Sequence, residues 1–432
     1  MNELKIQVEW EDSAGAKGPE LRATWSSLQI SVGDQVVTEL YDRHSRTERS
    51  RLYMPIYPLA EWIAEHWWHL LGEARTPGRS TSSTYDKRHC LLSASEGFAM
   101  PSLLIQPHGS LTLVSWGAFR YENSPVRFLS SGKCFVNSQQ VEQELRALVD
   151  SVIQRLESHK IFGTYLQEEW EAINSVDKNE EAFCRASASL GLDPFGLEEG
   201  LANEIEHAAL NIPIELSSEF FTAIEPRNLR EGLENFRQSI VTAPTTSVSD
   251  FLVTARKLIS ARHPLNSIPW EAGFEVARTL HELIPLDLDQ TRHLGSLSTL
   301  FGIDLAEHQS IKLPKLSCFE GMVRIPEAHS LTLYIPRMHD HKARFALCRL
   351  VYEYLTASEN TWRVVSHGRT DNQARNRAFA AEFLVPAKVL KSRLSSSVLD
   401  SDEVESLAID FGVSSWVVRH QIENNHLAEV IE

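Results

Sequence analysis

The sequence predicts an α+β protein: a strand-rich N-terminal domain over 1–137, a helical middle, a strand-and-helix domain over 313–395 and a helix-turn-helix-like unit over 396–432. Three observations predict it. Over 1–137 apolar residues alternate with polar ones in short runs bounded by Gly, Pro and Ser, the period of half-buried strands. From 138 to 312 they recur every three or four residues, as on amphipathic helices. After Pro314 short alternating runs return, and two helical stretches follow them.

Taken in order, LKIQVEW, SLQISV, SLLIQP and LTLVSW read as strands of the first domain. One helix interrupts them, YPLAEWIAEHWWHLLGE, with Leu59, Trp62, Ile63, His66 and Leu70 at helical spacing, Pro58 before it and Gly72 after it. His66 and His69 are ligands by residue type, but a Trp-rich helix of this kind reads as a packed face. RSTSSTYDKRH reads as a mobile loop. Two helical regions follow, 138–240 and 250–312, joined by the linker VTAPTTSVSD. The first holds QQVEQELRALVDSVIQRLES and a helix, Gly turn and helix in EEAFCRASASLGLDPFGLEEGLANEIEHAAL. The second holds DFLVTARKLISAR and PWEAGFEVARTLHEL. His281 and Glu282 open like HExxH, but Pro285 stands where the second histidine belongs, so that reading is set aside.

Beyond Pro314, GMVRIP and SLTLYIP predict an antiparallel strand pair, RFALCRLVYEYL a helix and WRVV a strand. A second helix opens at Thr370, with Gln373 spaced to complete a capping box. In DEVESLAIDFGVSSWVVRHQIENNHL, residues Ala408, Gly412 and Val418 fall where a helix-turn-helix needs a small residue, a turn glycine and a buried aliphatic.

With 42% apolar and 23% charged residues in 432, the chain is of ordinary globular composition. No run approaches the roughly 18 apolar residues of a membrane span, and MNELKIQVEWEDSAG has no signal-peptide pattern, so cytoplasmic residence without a membrane is expected. Five scattered cysteines (Cys90, Cys134, Cys184, Cys318, Cys348) without CxxC spacing suggest small buried thiols. The net charge of −16 argues against wholesale coating of nucleic acid. It is unevenly spread: Arg337 to Arg393 carries eleven Lys and Arg against five Asp and Glu, leaving about −22 elsewhere. Nucleic acid is therefore a possible partner of 337–393. The terminal unit from Asp400 has eight acids and one cation, Arg419, so a protein partner or the adjoining core suits it better than DNA phosphates.

The strand, strand, helix, helix order resembles the ImmA/IrrE family of zincin-like metallopeptidases. That family's pattern is roughly RFTLAHELGH, then an acidic residue shortly before N-x-F-A-A-E-L-L-M-P. The match runs from Arg344, Phe345 and Leu347 to Phe379, Ala380, Ala381, Glu382, Leu384 and Pro386, about 320–425 in all, with weaker echoes in FCRASASLGLDP and PWEAGF. The resemblance implies that 313–395 is a degenerate zincin-like domain. HExxH needs two imidazoles one helical turn apart to hold zinc, and a glutamate to deprotonate its water. Here those positions are Arg349, Leu350 and Glu353, and Ala374, Arg375, Asn376 and Arg377 stand where the third ligand is expected. Arginine has no lone pair to offer a cation, and leucine is no base. No catalytic residue, metal or cofactor is expected.

What remains is a remodelled site of Arg349, Glu353 and Arg375, an ion-pair cluster in place of a metal, either a solvated pair without a role or a pocket for a partner. Arg344, Arg377, His339 and His341 are further binding candidates; the two histidines with Glu353 are the one remaining metal reading. Cys348 sits on the apolar side and is set aside as a nucleophile. The resemblance thus implies an inactive relative acting by binding, a sensor, regulator or antitoxin-like partner of a protein encoded nearby, in a prokaryotic toxin-antitoxin or antiviral defence system. The alternatives are an active zinc metallopeptidase cutting a repressor or partner, and a DNA-binding transcriptional regulator.

Overall fold

The computed structural model describes residues 2–12, 15–75, 82–120, 124–262, 268–283, 293–303 and 319–431. The fold is mixed α+β with several small antiparallel sheets, divided into two compact units, Met1–Asn211 and Ile212–Glu432. The division falls inside the first of the two regions read as helical, 138–240. Helix Ser138–Ser158 belongs to the N-terminal unit, because its buried stripe of Val141, Leu145, Leu148, Val149, Val152 and Leu156 joins that unit's core.

In the N-terminal unit, Leu4–Trp10 pairs antiparallel with Trp25–Val32, and Leu111–Gly117 lies between Ser102–Pro107 and Gly132–Asn137. Asn137 caps helix Ser138–Ser158 by accepting from the Gln139 and Gln140 amides. The Gln140 side chain then bonds both the amide and the carbonyl of Leu4, fixing the helix along the first strand. The helix expected from Pro58 to Gly72 is two, Tyr57–Glu65 and Trp67–Gly72, broken at His66. The segment read as a loop is helical from Ser82 to His89. Tyr85 and His89 explain the difference: one turn apart, both are fully buried, and their rings stack with centroids 3.9 Å apart. Ser and Thr content argued for a loop, and two anchoring rings overrode it.

In the C-terminal unit one antiparallel sheet has the order Thr245–Ser247, Ser330–Tyr334, Phe319–Glu327, Trp362–Ser366. Its edge strand is the segment read as a linker, where Thr245 pairs with Thr332. Helix Asp340–Thr356 lies on the sheet and packs against helix Asp371–Leu384. A third helix, Pro269–Leu283, meets the second closely: a β-carbon on Gly273 would come within 2.2 Å of the Arg375 carbonyl and 2.8 Å of the Ala378 methyl. The small residue at Ala378 therefore serves this third helix as well as the pair. Helices Ser401–Phe411 and Ser415–Asn424 join through Gly412, left-handed at φ 63°, and bury Ala408, Phe411 and Val418. Among the described residues no helix is long and apolar enough to cross a membrane.

Candidate functional site

Helix Asp340–Thr356 is buried almost all round, from Ala343 to Leu355. It carries Arg344, Arg349 and Glu353 inside with it, at 2, 1 and 1% exposure. A buried charge is costly unless it is paired or hydrogen-bonded; all three are hydrogen-bonded, and Arg349 also meets a carboxylate, Glu320. Arg349 donates Nε to Asn376 Oδ1 (2.7 Å), Nη1 to the Glu320 carboxylate, and Nη2 to the Ser366 carbonyl (2.8 Å) and Gln373 Oε1 (2.5 Å). One guanidinium thus binds its helix to two strands and to the second helix.

Glu353 does not reach Arg349 directly. Its Oε1 accepts from Asn372 Nδ2 (2.9 Å) and Asn376 Nδ2 (2.7 Å), so the Asn376 amide stands between the two charges. Arg375, expected in the same cluster, is buried and paired with Asp371 on its own helix at 2.8 Å. A third buried carboxylate, Glu219 of helix Ile214–Ala223, accepts from Thr370 Oγ1 (2.5 Å) and Gln373 Nε2 (3.0 Å). Gln373 is what joins the groups: it also donates to the Val364 carbonyl and accepts from the Ser366 amide. For that reason the capping box is only half made. Thr370 accepts from the Gln373 amide, while the Gln373 side chain turns inward.

Burial pulls the Arg349 guanidinium down to about 9, against the charge of Glu320, which leaves it protonated at neutral pH. Burial also raises Glu353, against hydrogen bonds from Asn376 and Asn372. Glu219 is pushed up to about 7 by burial, with its Thr370 bond opposing and the Glu353 charge adding to the rise.

Leu350, in the position of the glutamate base, packs on the sheet where a β-carbon at Gly321 would lie 2.7 Å from its Cδ1. The Cys348 thiol is fully buried and pushed up to about 12, no nucleophile. Arg344 donates to the Phe411 and Gly412 carbonyls, capping the end of helix Ser401–Phe411. Arg377 is half-buried and donates to the Gly368 carbonyl. His339 and His341 are exposed, with parallel rings 6.2 Å apart. His341 lines an open cleft of about 490 Å³ with His293, Asp340 and Ser414, among others. Glu353 is not among that cleft's lining residues. Among the described residues no three His, Cys, Asp or Glu side chains converge as a metal site. His281 approaches the Phe383 carbonyl at 3.1 Å; Pro285 and Cys318 lie outside the described residues. In the N-terminal unit burial pulls His66 to about 4 and His69 to about 3, and His66 stacks on Trp62.

The basic segment changes character once folded. Arg344, Arg349 and Arg375 are inside, Arg363 and Arg377 half-buried, and the exposed cations are Arg337, Lys342, Arg369, Lys388, Lys391 and Arg393. A surface argument resting on Arg375 therefore fails. Sequence reading missed Glu219 and Glu320, and it took Gln373 for a capping residue and Asn376 for a vacated ligand position without joining either to the cluster. The polar run TDNQARNR, inside an otherwise apolar domain, was the available signal for the last two; nothing local marks Glu219. No protein-family model matches the chain, and no curated protein matches it.

Proposed function

We propose that this chain is a catalytically inactive relative of the ImmA/IrrE zincin-like metallopeptidases that works by binding another protein, as a sensor, regulator or antitoxin-like partner in a prokaryotic toxin-antitoxin or antiviral defence system. The observation that carries the reading is Arg349. At the position of the first zinc-binding histidine it holds a guanidinium whose donors go to Asn376, Glu320, Ser366 and Gln373. An arginine cannot ligate a cation, and this one makes between helices and sheet the connection a metal would otherwise make. Leucine at Leu350 and the amide-held Glu353 support the same conclusion.

The terminal helices Ser401–Phe411 and Ser415–Asn424 belong to this reading as a helix-turn-helix-like unit. Its acidic surface, with Arg419 as its one cation, favours a protein over DNA phosphates.

Elemental analysis of purified protein tests the proposal, together with melting in the presence and absence of a chelator. The expected result is no stoichiometric zinc and an unchanged melting temperature. Stoichiometric zinc that disappears in Glu353→Ala would overturn it.

A further inference from the structure

The N-terminal unit carries a sheet face that the proposed function does not use. Strand Leu40–Asp42 lies between Thr47–Arg49 and Val126–Phe128. Leu40 and Phe128 are paired and buried, so the residues next to them face outward. On that outer side Tyr41 is paired with Glu48 on one neighbour and with Arg127 on the other, and Arg127 is paired in turn with Arg120. Directly opposed side chains share a face, with β-carbons about 5 Å apart. Arg120, Arg127, Tyr41 and Glu48 therefore form one row. Arg43 extends the register by a step: its amide donates to the Pro125 carbonyl at 2.8 Å, which puts its side chain on the Tyr41 side.

Two features weaken the sheet they belong to. Arg120 and Arg127 are like charges placed directly opposite each other, which destabilises a strand pair. Arg46, in the turn that follows Arg43, is left-handed at φ 55°, where glycine or asparagine fits without strain and arginine does not. The turn's own carboxylate does not neutralise these cations: Asp42 accepts from the His44 amide at 2.8 Å and pairs with Arg49 at 3.2 Å. Arg43, Arg46, Arg120 and Arg127 are all exposed, and among the described residues their side chains make no ion pair, hydrogen bond or ring contact. The same face has two carboxylates, Glu39 and Glu48, while residues 1–211 as a whole carry 30 Asp and Glu against 19 Lys and Arg. A cationic face on an acidic unit attracts an anion, and an anion seated there would relieve the repulsion.

From this register and these charges we infer that the face binds single-stranded nucleic acid, its phosphates met by Arg43, Arg120 and Arg127 and one of its bases stacked on Tyr41. A guanidinium presents a fork of donors to a phosphate, and an aromatic ring among cations on a sheet gives an unstacked base its place. A duplex keeps its bases stacked and would use the arginines alone. An acidic peptide has no planar base to set on the ring. The inference stands apart from whether the C-terminal unit is an inactive peptidase, and its test does not involve that unit's site.

The probe is a fluorescent oligothymidine of about fifteen nucleotides, titrated with the full chain and read by anisotropy. Three phosphate contacts predict a slope of about −2 in log affinity against log salt, so affinity should fall roughly 20-fold between about 50 and about 200 mM. Arg120→Glu with Arg127→Glu should weaken binding by at least about tenfold and flatten that slope by about half or more. Tyr41→Thr keeps a good strand former and removes the ring; it should weaken binding by about fivefold or more and leave the slope unchanged. A control pair of exposed cations in the other unit, Lys388→Glu with Lys391→Glu, should leave affinity within about twofold. Melting curves confirm that each variant is folded. Equal weakening by the control pair, or undiminished binding after the arginine reversal, would overturn the inference. So would an unaltered affinity in Tyr41→Thr, which would leave an acidic protein segment as the occupant.

Discussion

Each unit of the molecule buries a charge cluster, and the two are built inside out from one another. In the N-terminal unit the carboxylate is central: Glu73 accepts from Arg88 Nε at 2.8 Å, from Arg88 Nη2, and pairs with His89 Nε2 at 3.1 Å. In the C-terminal unit the cation is central, and Arg349 is ringed by acceptors. Burial raises Glu73, yet the bonds from His89 and Arg88 outweigh it and hold the carboxyl at about 2. Glu219, bonded by a hydroxyl and an amide, goes to about 7. Burial alone therefore does not decide the state of an interior carboxylate. What decides it is whether the donors around it carry charge.

The largest effect expected of this contrast is in stability. Arg349→Met would strip the donor from Asn376, Ser366 and Gln373 at once in a site closed to water, a loss of about 3–5 kcal/mol. Glu73→Gln keeps an acceptor for His89, and Arg88, whose side chain is 18% exposed, can turn toward solvent. Its cost should be smaller, about 1–3 kcal/mol. Denaturant midpoints at constant slope measure both, and equal costs would remove the distinction between central cation and central anion.

A second expectation concerns pH, with opposite signs in the two units. Glu219 has its folded pKa raised, so the folded state binds the extra proton; its penalty is absent below about 4.5 and full above about 7. The surroundings of helix Asp371–Leu384 should lose stability as pH rises through that window, by roughly 3 kcal/mol at most. Around Glu219 stand Thr370, Gln373, Glu353 and Asp371, the charges of the two carboxylates both adding to its rise, and its own charge acts on Arg349 and Arg377. Glu73 has its folded pKa lowered, so its contribution is full above about 4.5 and lost as pH falls toward about 2. Amide exchange followed separately in the two segments reads the signs. Protection of 371–384 that increases from pH 5 to 7 would contradict the placement of Glu219.

The element plan was legible because it rests on apolar period, and that period is imposed by the faces that must be buried. The strands LKIQVEW, SLQISV, SLLIQP, LTLVSW, GMVRIP and SLTLYIP, and the helices around Leu347 and Phe379, lie where the pattern put them. The failures have a different physics. Ser82–His89 and Thr245–Ser247 are short polar segments held by distant partners, His89 by Glu73 and the Ile105 carbonyl, Thr245 by Thr332. The candidate cluster was half legible. Spacing puts Arg349 and Glu353 on one helix face, but no spacing says that Asn376 would come between them, or that Glu219, more than 150 residues from Gln373, would close the network. Long-range polar pairing leaves no periodic trace.

Gly273 offers a more modest test. In the N-terminal unit the long helix Ser138–Ser158 meets its core through branched aliphatics, whereas helix Pro269–Leu283 approaches the backbone of Asp371–Leu384 directly at a glycine. Gly273→Ala gains helix propensity, but its methyl must displace the Arg375 carbonyl region. The net cost should be about 1–3 kcal/mol, read as a lowered melting temperature. A stabilised variant would mean that the two helices are farther apart than described.

The smallest stability effect belongs to the exposed cations, and there the C-terminal unit divides against itself. Lys388 and Lys391 are exposed on helix Ala387–Arg393, and reversing both to Glu should shift stability by no more than about 0.5 kcal/mol. Arg375→Glu, by contrast, would set a carboxylate against Asp371 in a site only 7% exposed and should destabilise the fold. Partner binding separates the two in the opposite sense. If the unit meets an acidic surface, the lysine reversal weakens association and flattens its dependence on salt while the melting temperature holds. Any loss of binding in Arg375→Glu should track its loss of folded protein. If the lysine reversal leaves association and its salt dependence unchanged, the exposed cations of 337–393 serve solubility, and the partner must be sought at another face.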